Sequence, residues 1–212
     1  MTGKNGVYNR IVKRGLDILL ASIFLVVFSP IMLLAALLIR IESPGPAIFR
    51  QKRLGLGGKV YEMYKFRSMK QNSEHTGSGV YSNNDDPRLT RVGKILRATS
   101  IDELPQCVNI LKGEMSFIGP RPPLTYHPWP LEDYTTVQRH MFDVRPGITG
   151  WAQIHGRKDV EWNKRIRLNL WYVRYVSFPV DLYIFINTIL QVICNSDNEN
   201  RGKTVRSKIE SS

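Results

Sequence analysis

The stretch LDILLASIFLVVFSPIMLLAALLI, residues 16–39, decides the architecture of this 212-residue chain. It is 24 residues long and carries one charged side chain, Asp17, so it is long enough to cross a bilayer as a helix. It is too long for the apolar core of a typical signal peptide, and no A-x-A-like cleavage site follows it. We therefore predict a membrane-associated segment at residues 1–42 and a folded domain at residues 43–195.

Two features of this segment argue against a simple membrane span. Ser29 and Pro30 lie at its centre, where a proline removes one backbone hydrogen bond and bends the helix. We expect the Ser29 hydroxyl to bond a carbonyl that Pro30 leaves without its usual partner. Positive charge also lies on both sides of the segment, before it at Arg10, Lys13 and Arg14 and after it at Arg40, Arg50, Lys52 and Arg53.

The positive-inside rule favours placing both of these basic flanks on the cytoplasmic face of the membrane. A kinked helix that enters and leaves the same leaflet satisfies that rule and the central proline together. A single-pass helix that tolerates the proline is the other arrangement, and the residues by themselves leave both open.

The charge of the chain indicates an anionic partner. Lys and Arg number 30 against 18 Asp and Glu, for a formal net charge of +12. Such a surplus suits nucleic acid, anionic lipid or a phosphorylated substrate, and a solubilising basic surface is the plainer explanation. The cysteines Cys107 and Cys194 form no CxxC pair, and the four histidines lack the spacing of metal ligands. These patterns give no support to a disulfide framework, a zinc site or a Ser-His triad.

Short strands and amphipathic helices are predicted after the membrane segment. Residues 60–69 alternate like a strand, which puts Lys65 and Arg67 on one face, directed either at a phosphate or at solvent. The glycines of residues 55–58 favour a hairpin turn before that strand, and residues 145–150 favour a tight turn. Helical patterns cover residues 88–99, 159–176 and 179–194, a polar surface loop is predicted at residues 71–86, and residues 196–212 have the composition of a disordered tail.

The last of these helical patterns, residues 179–194, is apolar but too short to span a bilayer. Aromatic residues just before it would allow it to rest in the headgroup region, and packing in the core of the domain is the equally good alternative. The predicted fold class is therefore α+β and mostly helical, with a small domain of short strands and surface helices joined to the membrane segment.

Residues 100–122, SIDELPQCVNILKGEMSFIGPRP, hold the groups best suited to chemistry. Ser100-x-x-Glu103 fits a capping box, whereas Pro105 favours a helix that begins at the proline and leaves Asp102 and Glu103 just outside it. In both cases we expect the helix dipole to favour ionised carboxylates. Adjacent carboxylates suit Mg²⁺, and an Asp can attack a phosphorus centre. Arg121, held between two prolines, is suited to bidentate binding of phosphate.

At these residues the sequence strongly resembles the bacterial sugar transferases, the monotopic phosphoglycosyl transferases. The matching stretches are KRGLDILLA with Ser29-Pro30, YKFRSM, DDPRLTRVGKILRATSIDELPQ, NILKGEMSFIGPRPP and VRPGITGWAQIHGR. The resemblance runs in order from about Arg10 to about Cys194. The chain resembles the minimal catalytic form of the family, without the additional transmembrane helices of longer relatives.

The resemblance implies an enzyme that moves a sugar-1-phosphate from a UDP-sugar to polyprenyl (undecaprenyl) phosphate and releases UMP. It implies a ping-pong route with Asp102 as nucleophile and Glu103 as its partner at Mg²⁺. It also implies that basic residues hold the phosphates or the nucleotide, and the matching positions are Lys65, Arg97, Arg121 and Arg157.

For the membrane segment, the resemblance implies that Ser29 and Pro30 form the kink of a re-entrant helix. It implies a location at the bacterial inner membrane, with the catalytic domain on the cytoplasmic face against anionic lipid. The implied role is the first step in assembling an exopolysaccharide, a capsule or another glycoconjugate. No nucleic-acid partner is expected, and homo-oligomerisation is left open.

The chain departs from the family pattern where Asn163 and Asn169 replace the usual acids. These changes bear on specificity more than on the class of reaction, because the acidic pair and the Pro-Arg-Pro segment are intact. The alternative function is a membrane-tethered basic protein that binds lipid or nucleic acid without catalysis. That alternative requires neither Asp102-Glu103 nor Arg121. Neither the motifs nor the composition names the sugar.

Overall fold

The computed structural model describes residues 6–71, 73, 86–155 and 161–193. Its strands are β1 (Ile48–Leu54), β2 (Val60–Phe66), β3 (Ser116–Ile118) and β4 (Gly147–Thr149), and its helices are α1 (Lys13–Glu42), α2 (Arg91–Ala98), α3 (Gln106–Lys112), α4 (Thr136–Arg139), α5 (Trp151–His155), α6 (Trp162–Tyr175) and α7 (Phe178–Ile193). The predicted α+β, mostly helical class is confirmed. Arg157, nearly all of the predicted loop at residues 71–86 and the tail at residues 196–212 lie outside the described residues.

Strands β1 and β2 form an antiparallel hairpin, as the glycine-rich stretch between them predicted. Phe49 pairs with Lys65 and Arg53 pairs with Tyr61, and Gly57 in the connecting turn has a φ of 64°. Such a positive φ suits glycine because it has no Cβ to clash. β2 ends at Phe66, three residues earlier than the predicted strand. Arg67 therefore lies beyond the strand and does not continue the face that carries Lys65.

Strands β3 and β4 form a short parallel pair, with Ser116 opposite Gly147 and Ile118 opposite Thr149. A Cβ on Gly147 would lie 2.1 Å from the Gly119 nitrogen, so glycine at this position permits the close approach of the two backbone segments. The sequence predicted only a tight turn at residues 145–150, and that prediction was incomplete. β4 was not predicted because a three-residue strand that contains Gly147 and is followed by Gly150 carries no alternating pattern.

Helix α1 presents most of its large apolar side chains to the outside. Val26 is 74% exposed and Leu33 is 72% exposed, whereas Ala21, Ala35 and Ile39 are buried against the domain. Among the described residues, the helical stretch Tyr8–Glu42 is long and apolar enough to cross a membrane by length and composition. An exposed apolar surface of this extent needs an apolar environment to cover it.

Proline interrupts the hydrogen bonding of α1 at the position that the sequence indicated. Pro30 has no N–H to donate to the Val26 carbonyl, and the Ser29 hydroxyl donates to that carbonyl at 2.8 Å. The expected replacement bond is therefore confirmed. It satisfies a carbonyl whose alternative would be exposure without a partner in an apolar medium.

The first turns of α1 are attached to the domain through buried polar contacts. The Lys13 ammonium lies 2.6 Å from the Asp181 carboxylate on α7, and both side chains are less than 10% exposed. Tyr8 and Tyr172 also donate to this carboxylate, each at 2.7 Å. One helical turn beyond Lys13, the Asp17 carboxylate accepts bonds from the Ser116 hydroxyl and the Phe117 N–H.

The last turn of α1 is attached to the same domain by two reciprocal contacts. The Glu42 carboxylate accepts bonds from the Arg91 and Val92 N–H groups, which begin α2 and have no intrahelical partner. The Arg67 guanidinium donates to the Ser43 and Pro44 carbonyls just beyond α1. Arg67 is thus a buried structural clamp, and both predicted alternatives for its side chain, a phosphate-facing and a solvent-facing one, are wrong.

We expect the Lys13→Gln substitution to lower the free energy of unfolding by about 3 kcal/mol. The amide leaves the Asp181 carboxylate buried without its cation, although the two tyrosine hydroxyls remain. Equilibrium unfolding of the full chain in detergent measures the change. Arg40→Gln is the matched control, because Arg40 lies in the same helix but is exposed. Equal stability of the two variants would contradict this account of the buried pair.

Candidate active site

Asp102 and Glu103 lie in a single 3₁₀ turn, Ile101–Glu103, immediately before α3. Ser100 has a φ of 57° and its side chain makes no capping hydrogen bond, so the predicted capping box is wrong. The left-handed backbone at Ser100 reverses the chain after α2 and removes its hydroxyl from a capping position. The alternative based on Pro105 is confirmed in placing both acids outside α3, although α3 begins at Gln106, one residue later than expected, with Pro105 as its N-cap.

The acidic turn is positioned against β2 by Asn109, a fully buried residue of α3. The Asn109 amide accepts a bond from the Tyr64 N–H at 3.0 Å and donates to the Glu62 carbonyl and the Glu114 carboxylate, each at 2.6 Å. It therefore occupies the edge of β2 that β1 leaves open. This attachment brings Glu103 opposite Lys65, whose ammonium lies 2.6 Å from the Glu103 carboxylate.

The two carboxyl groups have different electrostatic environments although they are adjacent in sequence. Burial raises the pKa of Asp102 to about 6, and Glu103 adds to that increase while Lys65 and Arg97 oppose it. Burial also acts to raise the pKa of Glu103, but Lys65, Arg121 and the Lys65 hydrogen bond outweigh it and hold that pKa below its usual range. The expected effect of the helix dipole does not prevail at Asp102, because desolvation is larger.

This arrangement gives a partly desolvated carboxylate that is still charged at neutral pH. With a pKa of about 6, roughly ten ionised Asp102 side chains exist for each protonated one at pH 7. Glu103 keeps its negative charge through its cationic neighbours. The pair can therefore supply one nucleophilic carboxylate and a second carboxylate that attracts a cation.

Arg97 and Arg121 come from two different segments of the chain, and both lie near the acidic pair. Arg97, at the end of α2, donates from its Nε to the Ser68 hydroxyl at 2.8 Å, and its charge acts on Asp102. A Cβ on Gly93 would lie 2.0 Å from the Ser68 carbonyl oxygen, so glycine lets α2 pack closely enough for this bond. Arg121, in the loop after β3, acts on Glu103. The structure thus brings together Asp102, Glu103, Lys65, Arg97 and Arg121.

A shallow cleft beside the acidic pair is lined by polar side chains from four segments. They are Arg53 of β1, Lys65 of β2, Glu103 and Gln106 around the start of α3, and Arg121. Met63 and Ile148 supply apolar wall. An open cleft with three cations and one carboxylate is suited to a phosphorylated ligand together with a metal ion.

The donor atoms of the acidic pair fit Mg²⁺ by their chemistry. Hard cations of this kind take oxygen ligands, and Mg²⁺ commonly combines one or two carboxylates with substrate phosphate oxygens and water. Among the described residues there is no group of three or more Asp, Glu, His or Cys side chains that could hold a metal. Asp102 and Glu103 would therefore hold the ion with oxygens from a ligand, and the ion would favour the ionised form of the desolvated Asp102.

Comparison with known proteins agrees with the resemblance in the motifs. The family model described as "Bacterial sugar transferase" matches residues 8–195. The chain belongs to the bacterial sugar transferase family. The match extends from the π-helical turn that precedes α1 to the end of α7, so the family assignment covers both the apolar helix and the acidic site.

Three relatives illustrate the range of the family. A UDP-N-acetylgalactosamine-undecaprenyl-phosphate N-acetylgalactosaminephosphotransferase from Aeromonas hydrophila is 44% identical over 86% of this chain and 44% of its own length. An uncharacterized sugar transferase, EpsL, from Bacillus subtilis is 42% identical over 86% of this chain and 88% of its own length. A UDP-glucose:undecaprenyl-phosphate glucose-1-phosphate transferase from Escherichia coli is 42% identical over 88% of this chain and 41% of its own length.

The chain thus spans less than half the length of two of these relatives. The names of those two proteins contain different sugars, although both share nearly the same identity with this chain. Overall similarity to the family therefore does not select a sugar.

Sequence reasoning missed two residues that line the cleft, Arg53 and Gln106. Arg53 had been considered only as part of the basic flank of the membrane segment. A signal for it was present, because a hairpin centred on Gly57 puts Arg53 on the same face as Lys65. Gln106 had no such signal, because its place beside Glu103 depends on how α3 packs against β2.

Asn169, where the family commonly has an acid, is 1% exposed in α6. Within the part of the chain that the structure describes, neither polar atom of its amide has a hydrogen-bond partner. The substitution therefore introduces buried donors and acceptors that this structure leaves unsatisfied. Asn163, the other departure, is exposed and donates weakly to Glu161 at 3.4 Å. The predicted contribution of Arg157 to this site lies outside the described residues.

We expect Asp102→Asn to stabilise the metal-free protein at pH 8 by about 3 kcal/mol. The folded-state pKa of about 6 lies above the usual aspartate pKa of 3.8, so ionisation of Asp102 costs stability. The advantage of the amide should be absent below pH 3.8, grow between pH 3.8 and 6, and stay constant above that. Unfolding measured with EDTA across this pH range tests the prediction. Asp133→Asn, at an exposed carboxylate, is the control. A difference in stability between Asp102→Asn and wild type that does not change with pH would contradict the prediction.

Proposed function

We propose that this chain transfers a sugar-1-phosphate from a UDP-sugar to polyprenyl (undecaprenyl) phosphate and releases UMP. The observation that carries the proposal is the acidic pair of Asp102 and Glu103 with Lys65, Arg97 and Arg121 around it. Family membership supports it, because relatives are named for UDP-sugars and undecaprenyl phosphate. The product, a polyprenyl diphosphate sugar, begins assembly of a surface polysaccharide or another glycoconjugate.

In the first half-reaction an Asp102 carboxylate oxygen attacks the phosphorus that carries the sugar. The bond from that phosphorus to the bridging oxygen breaks, and the oxygen leaves with UMP. In the second half-reaction a phosphate oxygen of the polyprenyl phosphate attacks the same phosphorus and displaces the Asp102 carboxylate. The carboxylate is thereby regenerated, as covalent catalysis requires.

The cationic residues around the pair offset charge as it develops on the phosphates. Mg²⁺, held by Asp102, Glu103 and donor oxygens, supplies Lewis-acid stabilisation of the diphosphate when bound. Lys65 keeps Glu103 ionised, which is the form of the carboxylate that would hold the metal ion. Arg97 lies on the Asp102 side and Arg121 on the Glu103 side, so their guanidinium groups can hold different phosphate oxygens.

We further propose that α1 enters one leaflet, bends at Ser29 and Pro30, and leaves through the same leaflet. Contacts at both ends of the helix support this arrangement. Lys13 and Asp17 near its start, and Glu42 at its end, all bind the domain that contains Asp102. A straight single-pass helix would carry one of these ends across the membrane, away from that domain.

Helix α7 supports a second contact with the same membrane surface. Phe185, Ile186, Ile189 and Leu190 are exposed along it, whereas Asp181 and Ile184 are buried against the domain. The helix is amphipathic and shorter than a span, as expected of a helix that lies in the headgroup region. The net charge of +12 favours the anionic cytoplasmic leaflet of the bacterial inner membrane.

The covalent route predicts that Asp102→Asn lowers UMP release by roughly 10³-fold or more, because the amide cannot act as the nucleophile. Purified wild type, given Mg²⁺ and a panel of UDP-sugars without acceptor, should release at most one equivalent of UMP. Intact mass spectrometry should then show one sugar phosphate on the protein. Added undecaprenyl phosphate should remove it and permit multiple turnovers.

Two further changes distinguish the contribution of the metal to turnover from that of the nucleophile Asp102. Glu103→Gln should also suppress turnover, and EDTA should suppress it until Mg²⁺ is restored. Glu132→Gln removes an exposed carboxylate outside the site and is the matched control. Near wild-type UMP release by Asp102→Asn would rule out the covalent mechanism. Absence of UMP release from every UDP-sugar by the wild type would contradict the proposed function itself.

The one-leaflet arrangement predicts that both ends of α1 are accessible from the cytoplasmic side. Single cysteines at Arg10 and Ile41, in a chain with both native cysteines replaced by serine, should react with a membrane-impermeant maleimide in inside-out vesicles. Both should be protected in right-side-out vesicles. Opposite accessibility of the two positions would indicate a single-pass helix.

A further inference from the structure

We propose that Arg53 is a positioning residue that holds the Arg121 loop in its working geometry. Arg53 lies on β1, lines the cleft with Lys65, Glu103 and Arg121, and its charge acts on Glu103. No part of the acidic-pair chemistry described above uses it. The inference deepens the proposed function, on which its kinetic consequences rest.

The Arg121 loop has an unusual shortage of backbone donors. Residues 120–123 read Pro-Arg-Pro-Pro, so three of the four residues have no N–H. Such a segment is attached to its surroundings mainly through its carbonyl oxygens. Its position therefore depends on whichever donors the rest of the protein directs at those oxygens.

Three carbonyls of this loop accept hydrogen bonds, and two of the three donors come from the end of β1. The Arg53 guanidinium donates from Nη1 to the Pro122 carbonyl at 2.9 Å. The next residue, Leu54, donates its N–H to the Pro123 carbonyl at 3.1 Å. Gly147 donates its N–H to the Pro120 carbonyl at 3.0 Å. Arg121 is thus bracketed by bonds to the residues on either side of it.

The Arg53 guanidinium is itself held by Gln51, two residues earlier on the same face of β1. The side-chain amide oxygen of Gln51, Oε1, accepts from Nε at 3.1 Å and from Nη2 at 2.5 Å. These two bonds set the plane of the guanidinium and leave Nη1 directed at Pro122. Lysine has a single nitrogen and cannot make the same set of contacts.

The consequence concerns the placement of the Arg121 side chain. A guanidinium that binds phosphate with two nitrogens requires accurate orientation, and a shift of about 1 Å in a substrate-holding group can reduce the rate about 100-fold. Loss of the bond to Pro122 would release the loop on the side that faces the cleft. The charge of Arg53 alone would not replace that bond.

The experiment compares Arg53→Gln, Arg53→Lys and Gln51→Leu in the full-length protein. The readout is kcat/KM for the UDP-sugar, measured as UMP release. Positioning predicts a loss of about 10- to 100-fold for Arg53→Gln, a loss of about 10-fold for Arg53→Lys despite its charge, and a several-fold loss for Gln51→Leu despite unchanged net charge. Arg50→Gln is the matched control, because Arg50 lies on the opposite face of the same strand and its side chain is 66% exposed.

A second readout does not depend on turnover. Hydrogen exchange at the Leu54 amide should accelerate in Arg53→Gln and in Gln51→Leu, because its acceptor, Pro123, belongs to the released loop. Two results would show that Arg53 acts through its charge and not by positioning the loop. One is wild-type activity in Arg53→Lys, and the other is wild-type activity in Gln51→Leu when Arg53→Gln is impaired. Unchanged exchange at Leu54 in both variants would also overturn it. A wild type that never releases UMP would instead refute the proposed function and leave the exchange result to decide the inference.

Discussion

The attachment of an apolar helix to a polar domain by buried charges is the constraint on which the rest of this structure depends. Helix α1 exposes apolar side chains over most of its surface, so apolar packing alone does not define its position on the domain. The Lys13–Asp181 pair and the Asp17 contacts fix one end, and Glu42 with Arg67 fixes the other. Glu42 is exposed, and the other charged groups at these contacts are buried. Because a buried ionic group is costly without its partner, the buried contacts favour this arrangement.

The same contacts connect the helix to the elements that hold the candidate site. Glu42 caps α2, which carries Arg97 in its last turn, and Arg14 donates to the Ile110 and Leu111 carbonyls near the end of α3. α3 in turn is held against β2 by Asn109, which brings Glu103 to Lys65. The position of the acidic pair is therefore tied to the position of the apolar helix α1 through a short series of hydrogen bonds.

Burial of the acidic pair has opposite effects on the stability of the fold and on the reactivity of Asp102. Burial raises the pKa of Asp102, so the ionised carboxylate is less stable in the fold than it would be in water. The same desolvation leaves it available to react, and the surrounding cations keep it predominantly charged at neutral pH. Glu103, with its closer cationic neighbours, is suited to a constant negative charge beside it.

The sequence by itself determined the apolar helix, the Ser29–Val26 hydrogen bond expected from Pro30, the β1–β2 hairpin and the identity of the acidic pair. These features are local: a long apolar run, a proline, a glycine-rich turn and adjacent carboxylates each have consequences within a few residues. Only the tertiary structure decided that Ser100 does not cap, that Arg67 clamps the end of α1, and that Arg53 belongs to the cleft. The outcomes at Arg67 and Arg53 depend on contacts with segments distant in the chain, and a residue's local pattern does not determine which distant carbonyl or carboxylate it will meet.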